Sequence, residues 1–472
     1  MRRVVSADRR ARSRFEAARG GELRAIIGLA APLAAANLAQ MAMGVTNTVM
    51  VGRLGAMPLA AAGLGGMFYF TGGIILQGVL FAITPLVAHA LGEGDRLAAG
   101  RVAGAGLLLA CMFSLPFAAA LSFSGLLLGR LGYEPRLAAA IGEYLRVLAW
   151  GAPAFLAFAV MRSLFAAFSQ ARAVMIVVAI CVGTNALINW ALIFGRLGAP
   201  ALGVVGSGYA SAINQWLMLG GLALWSRALR GFSGLHMLRH AIRAGGGEFA
   251  AILRLGLPMG AIRGVEAGLF TATGVVIGLL GAAALGAHQL VINCASVSFM
   301  VPLGLSQAAT VRVAYQLGAG RPYAARRAGF AALALGVGFM AGTAIVLLAI
   351  PDAIIAVYVD SANPANRELV HIARQLIMIA ALFQVFDGMQ TIAAGILRGY
   401  KDAVVPLLLA GLGYWGVGFL GGWILAFPLH CGAVGLWWGL ALGLVVVAVM
   451  LCVRFHVLAT PRQPAVRLAA TC

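Results

Sequence analysis

The chain has 472 residues, 62% of them hydrophobic and only 10% charged, at a mean hydropathy of +0.96. Soluble domains carry about 25% charged residues, so this composition excludes a soluble globular protein and indicates one whose solvent is lipid. A net charge of +20 raises nucleic-acid binding as a function, which the placement of the basic residues then removes.

A membrane-crossing helix needs about 20 consecutive apolar residues. Apolar runs divided by charged or Pro/Gly-rich joints predict twelve spans, near 26–50, 57–88, 100–125, 137–165, 172–195, 202–226, 250–278, 284–310, 328–350, 369–396, 403–427 and 433–455. The predicted organisation is a basic arm over 1–24, a first lobe over 25–230, a linker over 231–248, a second lobe over 249–456 and a tail over 457–472. Arginines cluster before the first span (Arg2, Arg3, Arg9, Arg10, Arg12, Arg14, Arg19, Arg24), between spans six and seven (Arg227, Arg230, Arg239, Arg243), between eight and nine (Arg321, Arg326, Arg327) and after the last (Arg454, Arg462, Arg467). The alternate joints carry few: Arg53, Arg130, Arg136, Arg196 and Arg367. Positive charge stays on the cytoplasmic side, so both termini are expected there, in a multi-pass protein of the cell's inner membrane. This topology accounts for the basic excess, with the bilayer and not nucleic acid as the partner. The arm has too long a basic region for a secretory signal and reads as a segment touching anionic lipid. The six cysteines are scattered, with neither metal-binding spacing nor a disulfide framework.

The chain also repeats itself. "ELRAIIGLAAPL" at Glu22 and "EFAAILRLGLPM" at Glu248 pair at an offset of 226, as do "AITPLVAHALGEGDRLAAGR" at Ala82 and "AATVRVAYQLGAGRPYAARR" at Ala308. Each half holds six spans. An even number inserts both halves the same way up, so a pseudo-twofold axis along the membrane normal relates them. Parallel repeats of this kind place a substrate path between the halves, near the bilayer midplane. The fold class is therefore an all-α integral membrane protein, twelve helices in two six-helix lobes.

Of 14 acidic residues, only Glu266 and Asp387 lie deep in spans, seven and ten. At the repeat offset Glu266 corresponds to Gln40, and Asp387, on a shifted register, to Phe158. A carboxylate inside a membrane is costly and marks ion or proton paths. Burial penalises its ionised form, which a neighbouring cation restores. Around Asp387, Gln384, Gln390 and Thr391 share one helix face; Arg263 precedes Glu266 by three residues, within reach of an ion pair. Span eight offers Gln289 and Asn293. The first lobe has amides without acids: Gln40 and Asn47 in span one, Asn185 and Asn189 in span five. For the amides, interhelical hydrogen bonding is the competing structural role.

Several stretches resemble one family along nearly the whole chain: "MGVTNTVMVGRLGAMPLAAAGLG", "FAITPLVAHALGEGD", "GLPMGAIRGVEAGLF", "AHQLVINCASVSFMVPLGLSQAATVRVAYQLGAG" and "FQVFDGMQTIAAGILRGYKDAVVP" are similar to the multidrug and toxic-compound extrusion (MATE) family, in its NorM-like branch. The resemblance implies a monomeric, two-lobed exporter that expels amphipathic, often cationic compounds in exchange for H⁺ or Na⁺, with no cofactor. Glu266 and Asp387 match the family's acids of spans seven and ten, where coupling, or Na⁺, would reside. Asn185 and Asn189 match amides that in relatives line the amino-terminal lobe. Two positions depart. The family's "MG-x-x-D-T-V-M" reads "MGVTNTVM" here, so Asn47 stands where an aspartate belongs and cannot carry charge or release a proton. Phe383 replaces a tyrosine common in Na⁺-coupled relatives, and a hard cation favours oxygen ligands, so H⁺ is favoured over Na⁺.

Other readings have weaker motifs. "GEGDRLAAGR" is similar to the charged loop of major-facilitator transporters but is one residue too long. A lipid-linked sugar or lipid flippase shares the wider architecture and would be expected to have a more basic cavity, for which Arg263 is a candidate. A membrane-embedded enzyme lacks support, since HExxH, GxSxG, paired-aspartate and Walker motifs are missing from the sequence.

Overall fold

The computed structural model describes residues 21–229, 232, 245–360 and 363–460. The basic arm up to residue 20, most of the linker and nearly all of the tail lie outside the described residues. Twelve spans follow in chain order: Glu22–Gly52, Ala56–Glu93, Arg96–Ser122, Pro135–Ala167, Ala171–Phe194 and Gly203–Ala228 form the first lobe, and Gly246–Gly278, Ala282–Gly318, Pro322–Ala349, Arg367–Gly399, Val404–Ala426 and Gly432–Ala459 the second. Ten of these are long and apolar enough to cross a membrane, and the bent pair Pro135–Ala149 and Ala152–Ala167 makes an eleventh. Span six is the twelfth. It has the length, but Ser207, Ser211 and Asn214 dilute its apolar character.

The repeat is visible in the details. Each lobe places a short helix between its third and fourth spans, Ser124–Arg130 and Pro351–Tyr358. Pro32 and Pro258 sit inside spans one and seven at the repeat offset. Spans one and eight pack across the lobes, as do two and seven. Near the end where spans one and seven begin, the backbones almost touch. A methyl group on Gly92 would overlap the carbonyl oxygen of Tyr315, and one on Gly318 would overlap that of His89. Both pairs are related by the repeat, and small residues of this kind let membrane helices approach closely. Two repeat-related glutamates tie the same end: Glu22 accepts from Arg312 Nη2 at 2.8 Å, and Glu248 from Arg101 Nε at 2.9 Å.

Some spans differ from the sequence expectation for local reasons. Span eight runs to Gly318, past the predicted end at 310, because Arg312 is buried against Glu22 rather than exposed at a helix end. Span four bends by 48° between Ala149 and Ala152. Pro153 has no N–H to offer the carbonyl one turn earlier, and the chain bridges the break with tight bonds from Trp150 N to Val147 O and from Gly151 N to Leu148 O. Span eleven widens into a π-helical stretch over Leu412–Phe419. Such stretches often mark functional positions, and this one aims two side chains at the neighbouring spans.

Candidate functional site

Spans seven, ten and eleven converge on one polar cluster in the second lobe. Arg263 Nη1 donates to Glu266 Oε2 at 2.9 Å, one helical turn apart. From span ten, Gln390 Nε2 faces Asp387 Oδ1 at 3.1 Å and Thr391 Oγ1 at 3.0 Å, with a longer approach to Glu266 Oε1 at 3.5 Å. The π-helical stretch brings Tyr414, whose hydroxyl donates to Gln390 Oε1 at 2.8 Å. That bond occupies the amide carbonyl and leaves its NH₂ group directed at Asp387 and Thr391, with Glu266 at longer range. Trp415, the next residue, donates from Nε1 to Val265 O at 3.3 Å and fixes span eleven against span seven.

The two acids look onto one chamber of about 700 Å³. It lies between the lobes and extends from Arg263 and Glu266 to Gly278 and Leu285, towards the end opposite the closed contacts. Span two contributes Met67 and Phe70, spans seven and eight Phe270 and Phe299, and span ten Phe383 beside Asp387. Phe383 packs on Trp437 and edge-on to Phe270, with centroids 5.6 and 6.2 Å apart. His288 is also in the wall. Its Nδ1 accepts from Trp437 Nε1 at 3.2 Å, which leaves Nε2 to carry the proton of the neutral ring. The chamber therefore combines apolar and aromatic surface with two carboxylates at its inner end, a chemistry that suits amphipathic cations.

The first lobe has a separate, uncharged cluster. Asn189 Nδ2 donates to Asn47 Oδ1 at 2.9 Å and Asn185 Oδ1 at 3.1 Å, and Asn47 Nδ2 donates to Ser211 Oγ at 3.2 Å. Asn185 and Asn189 are fully buried, and none of the three asparagines lines the chamber. Gln40 is apart from them: with Asn37 and Gln307 it accepts from the guanidinium of Arg162.

Of the sequence candidates, then, the structure brings Arg263, Glu266, Asp387, Gln390 and Thr391 together, with Gln289 on the chamber wall. Gln384 is buried beside them, with its Oε1 accepting from Ser298 Oγ at 3.0 Å, but does not reach the chamber. Asn293 is exposed and lies off the chamber wall. Sequence reasoning missed Tyr414, His288, Arg162 and Arg398. The two arginines carried a usable signal, since each is an unexplained charge at or inside the edge of an apolar run.

The family model MatE matches residues 32–191 and 258–424. The multidrug resistance protein NorM of Burkholderia vietnamiensis is 44% identical over 432 residues, covering 91% of this chain and 92% of that protein. The chain belongs to the MatE family, in its NorM-like branch. Solved MATE structures share the fold at lower identity. The eukaryotic MATE transporter AtDTX14 aligns with a TM-score of 0.80 at 21% identity, over 93% of this chain and 96% of that one. A mutant of the Vibrio cholerae MATE transporter VcmN gives 0.84 at 18% identity, over 93% and 97%. The two family-model segments fall one in each lobe, as a duplicated MATE architecture requires.

Proposed function

We propose that this MATE protein is a cation-coupled antiporter, with H⁺ favoured over Na⁺, that exports amphipathic and often cationic drugs by alternating access. The reading rests above all on one observation: the two membrane-embedded carboxylates, Glu266 and Asp387, share the inner end of one aromatic chamber between the lobes. The naming of its relatives as multidrug resistance proteins supports the same substrate class.

In this reading the protein is an inner-membrane monomer with both termini cytoplasmic, which the arginine pattern supports, so the closed end faces the cytoplasm and the chamber faces outward. A cationic substrate arriving through the cytoplasm-facing form is held by ionised Asp387 and by the ring faces. A proton taken from outside neutralises Asp387 and removes the attraction that held the substrate. Gln390, which donates to Asp387 and approaches Glu266, transmits that change to the Arg263–Glu266 pair. Moving one charge through 100 mV supplies about 2.3 kcal/mol. Phe383 offers no oxygen where a cation would need one, which supports H⁺.

The test is dye efflux from proteoliposomes energised by a pH gradient alone or a Na⁺ gradient alone. The proposal expects efflux with the pH gradient; efflux under neither gradient would contradict antiport altogether.

A further inference from the structure

A second, smaller cavity lies between the lobes, beyond the acid cluster on the closed side. Arg162 of span four, Arg263 of span seven and Arg398 of span ten line it, with Ser163, Gln307 and Thr310. It offers about 30 Å³, where a water needs roughly 10–15 Å³ measured in the same way. That is room for one monatomic ion with a water, and too little for a lipid headgroup.

The charges there do not balance. Arg263 is paired with Glu266 at 2.9 Å. Among the described residues Arg162 is held by neutral oxygens alone, Gln40 Oε1 and Gln307 Oε1 each at 3.1 Å and Asn37 Oδ1. Arg398 donates to Ser306 Oγ at 2.7 Å and Ala394 O at 3.3 Å. Among the described residues no carboxylate lines this cavity. The adjoining one holds Glu266 and Asp402, and Asp402 accepts from Arg454 at 2.8 Å. Amide and hydroxyl oxygens satisfy the hydrogen bonds of a guanidinium but do not cancel its charge, and a buried uncompensated charge is costly. A second observation is independent of the arginines. Ser163 lines the same cavity and is 3% exposed, and among the described residues its hydroxyl has no hydrogen-bond partner.

We propose that this pocket binds one small monovalent inorganic anion of the chloride class, held by Arg162 and Arg398 with the Ser163 hydroxyl donating to it. Arg162 and Ser163 come from the first lobe, Arg398 and Gln307 from the second. The ion therefore binds the conformation in which the lobes meet at this end, and stabilises it.

Thermal unfolding of the full chain in detergent, followed by tryptophan fluorescence, tests this directly. Melting in sodium chloride or sodium bromide is compared with sodium gluconate at equal ionic strength. The proposal expects a saturable rise of about 2 °C with either halide, lost in Arg162→Gln and reduced in Ser163→Ala. Should Arg162→Gln fail to fold, the milder Ser163→Ala variant decides. Equal melting in halide and gluconate overturns the proposal, as does a halide-dependent rise that both variants, or Ser163→Ala where it alone folds, retain in full.

Discussion

The two lobes share a scaffold and differ in charge. Pro32 and Pro258, Gly92 and Gly318, Glu22 and Glu248 keep their places across the repeat, and they make helix geometry and interlobe contact. The polar centres have diverged. At the repeat position of Glu266 the first lobe has Gln40, and its own amide cluster is Asn47, Asn185 and Asn189, linked by amide hydrogen bonds and, through Asn47, to Ser211. The second lobe holds Arg263, Glu266 and Asp387 beside the chamber. Duplication thus conserved what assembles the protein, while among the described residues the acids deep in the spans stand in one copy. An amide cluster packs; a carboxylate cluster also titrates and attracts.

That asymmetry can be broken experimentally. The largest effect is expected from Asp387→Asn, which keeps shape and hydrogen bonding but removes the charge: dye efflux from proteoliposomes should fall to the level of empty vesicles while expression is unchanged. Arg263→Gln leaves Glu266 without its partner in a mostly buried setting, and removing one member of such a pair costs about 3–5 kcal/mol. The site is partly open to the chamber, so a value at or below the low end is expected in denaturant unfolding, with efflux reduced several-fold. Tyr414→Phe removes the bond that orients Gln390, worth about 1 kcal/mol, and should slow efflux by roughly fivefold with a loss of about 1 kcal/mol in denaturant unfolding. Asn47→Ala is expected to do least. It removes interhelical bonds worth about 0.6 kcal/mol each, which should lower the melting temperature slightly and leave coupled efflux in place.

Much of the fold was legible because its signals are local or periodic. Apolar run length gave the spans, and the 226-residue offset gave the pairing of the lobes. The paired acids were visible as charges in hydrocarbon, and their resemblance to family positions named them. What escaped depends on contacts between distant segments. Tyr414 joins the acid cluster only because span eleven widens locally and turns its hydroxyl onto Gln390, 24 residues away in sequence. His288 looks like part of an apolar run until Trp437 is placed against it. Arg162 was the costlier omission: its partners lie on spans one and eight, and sequence alone does not bring them together. Asn293 shows the opposite error, a polar residue on a plausible helix face that the packing turns away from the chamber.

The central claim is that proton-responsive charge sits in the second lobe alone. The most direct measurement is pH-gradient-driven dye efflux from proteoliposomes carrying wild type, Asp387→Asn or Asn47→Ala at matched protein content. The account predicts near-normal efflux for Asn47→Ala and none above background for Asp387→Asn. Coupled efflux that survives Asp387→Asn and disappears with Asn47→Ala would contradict it.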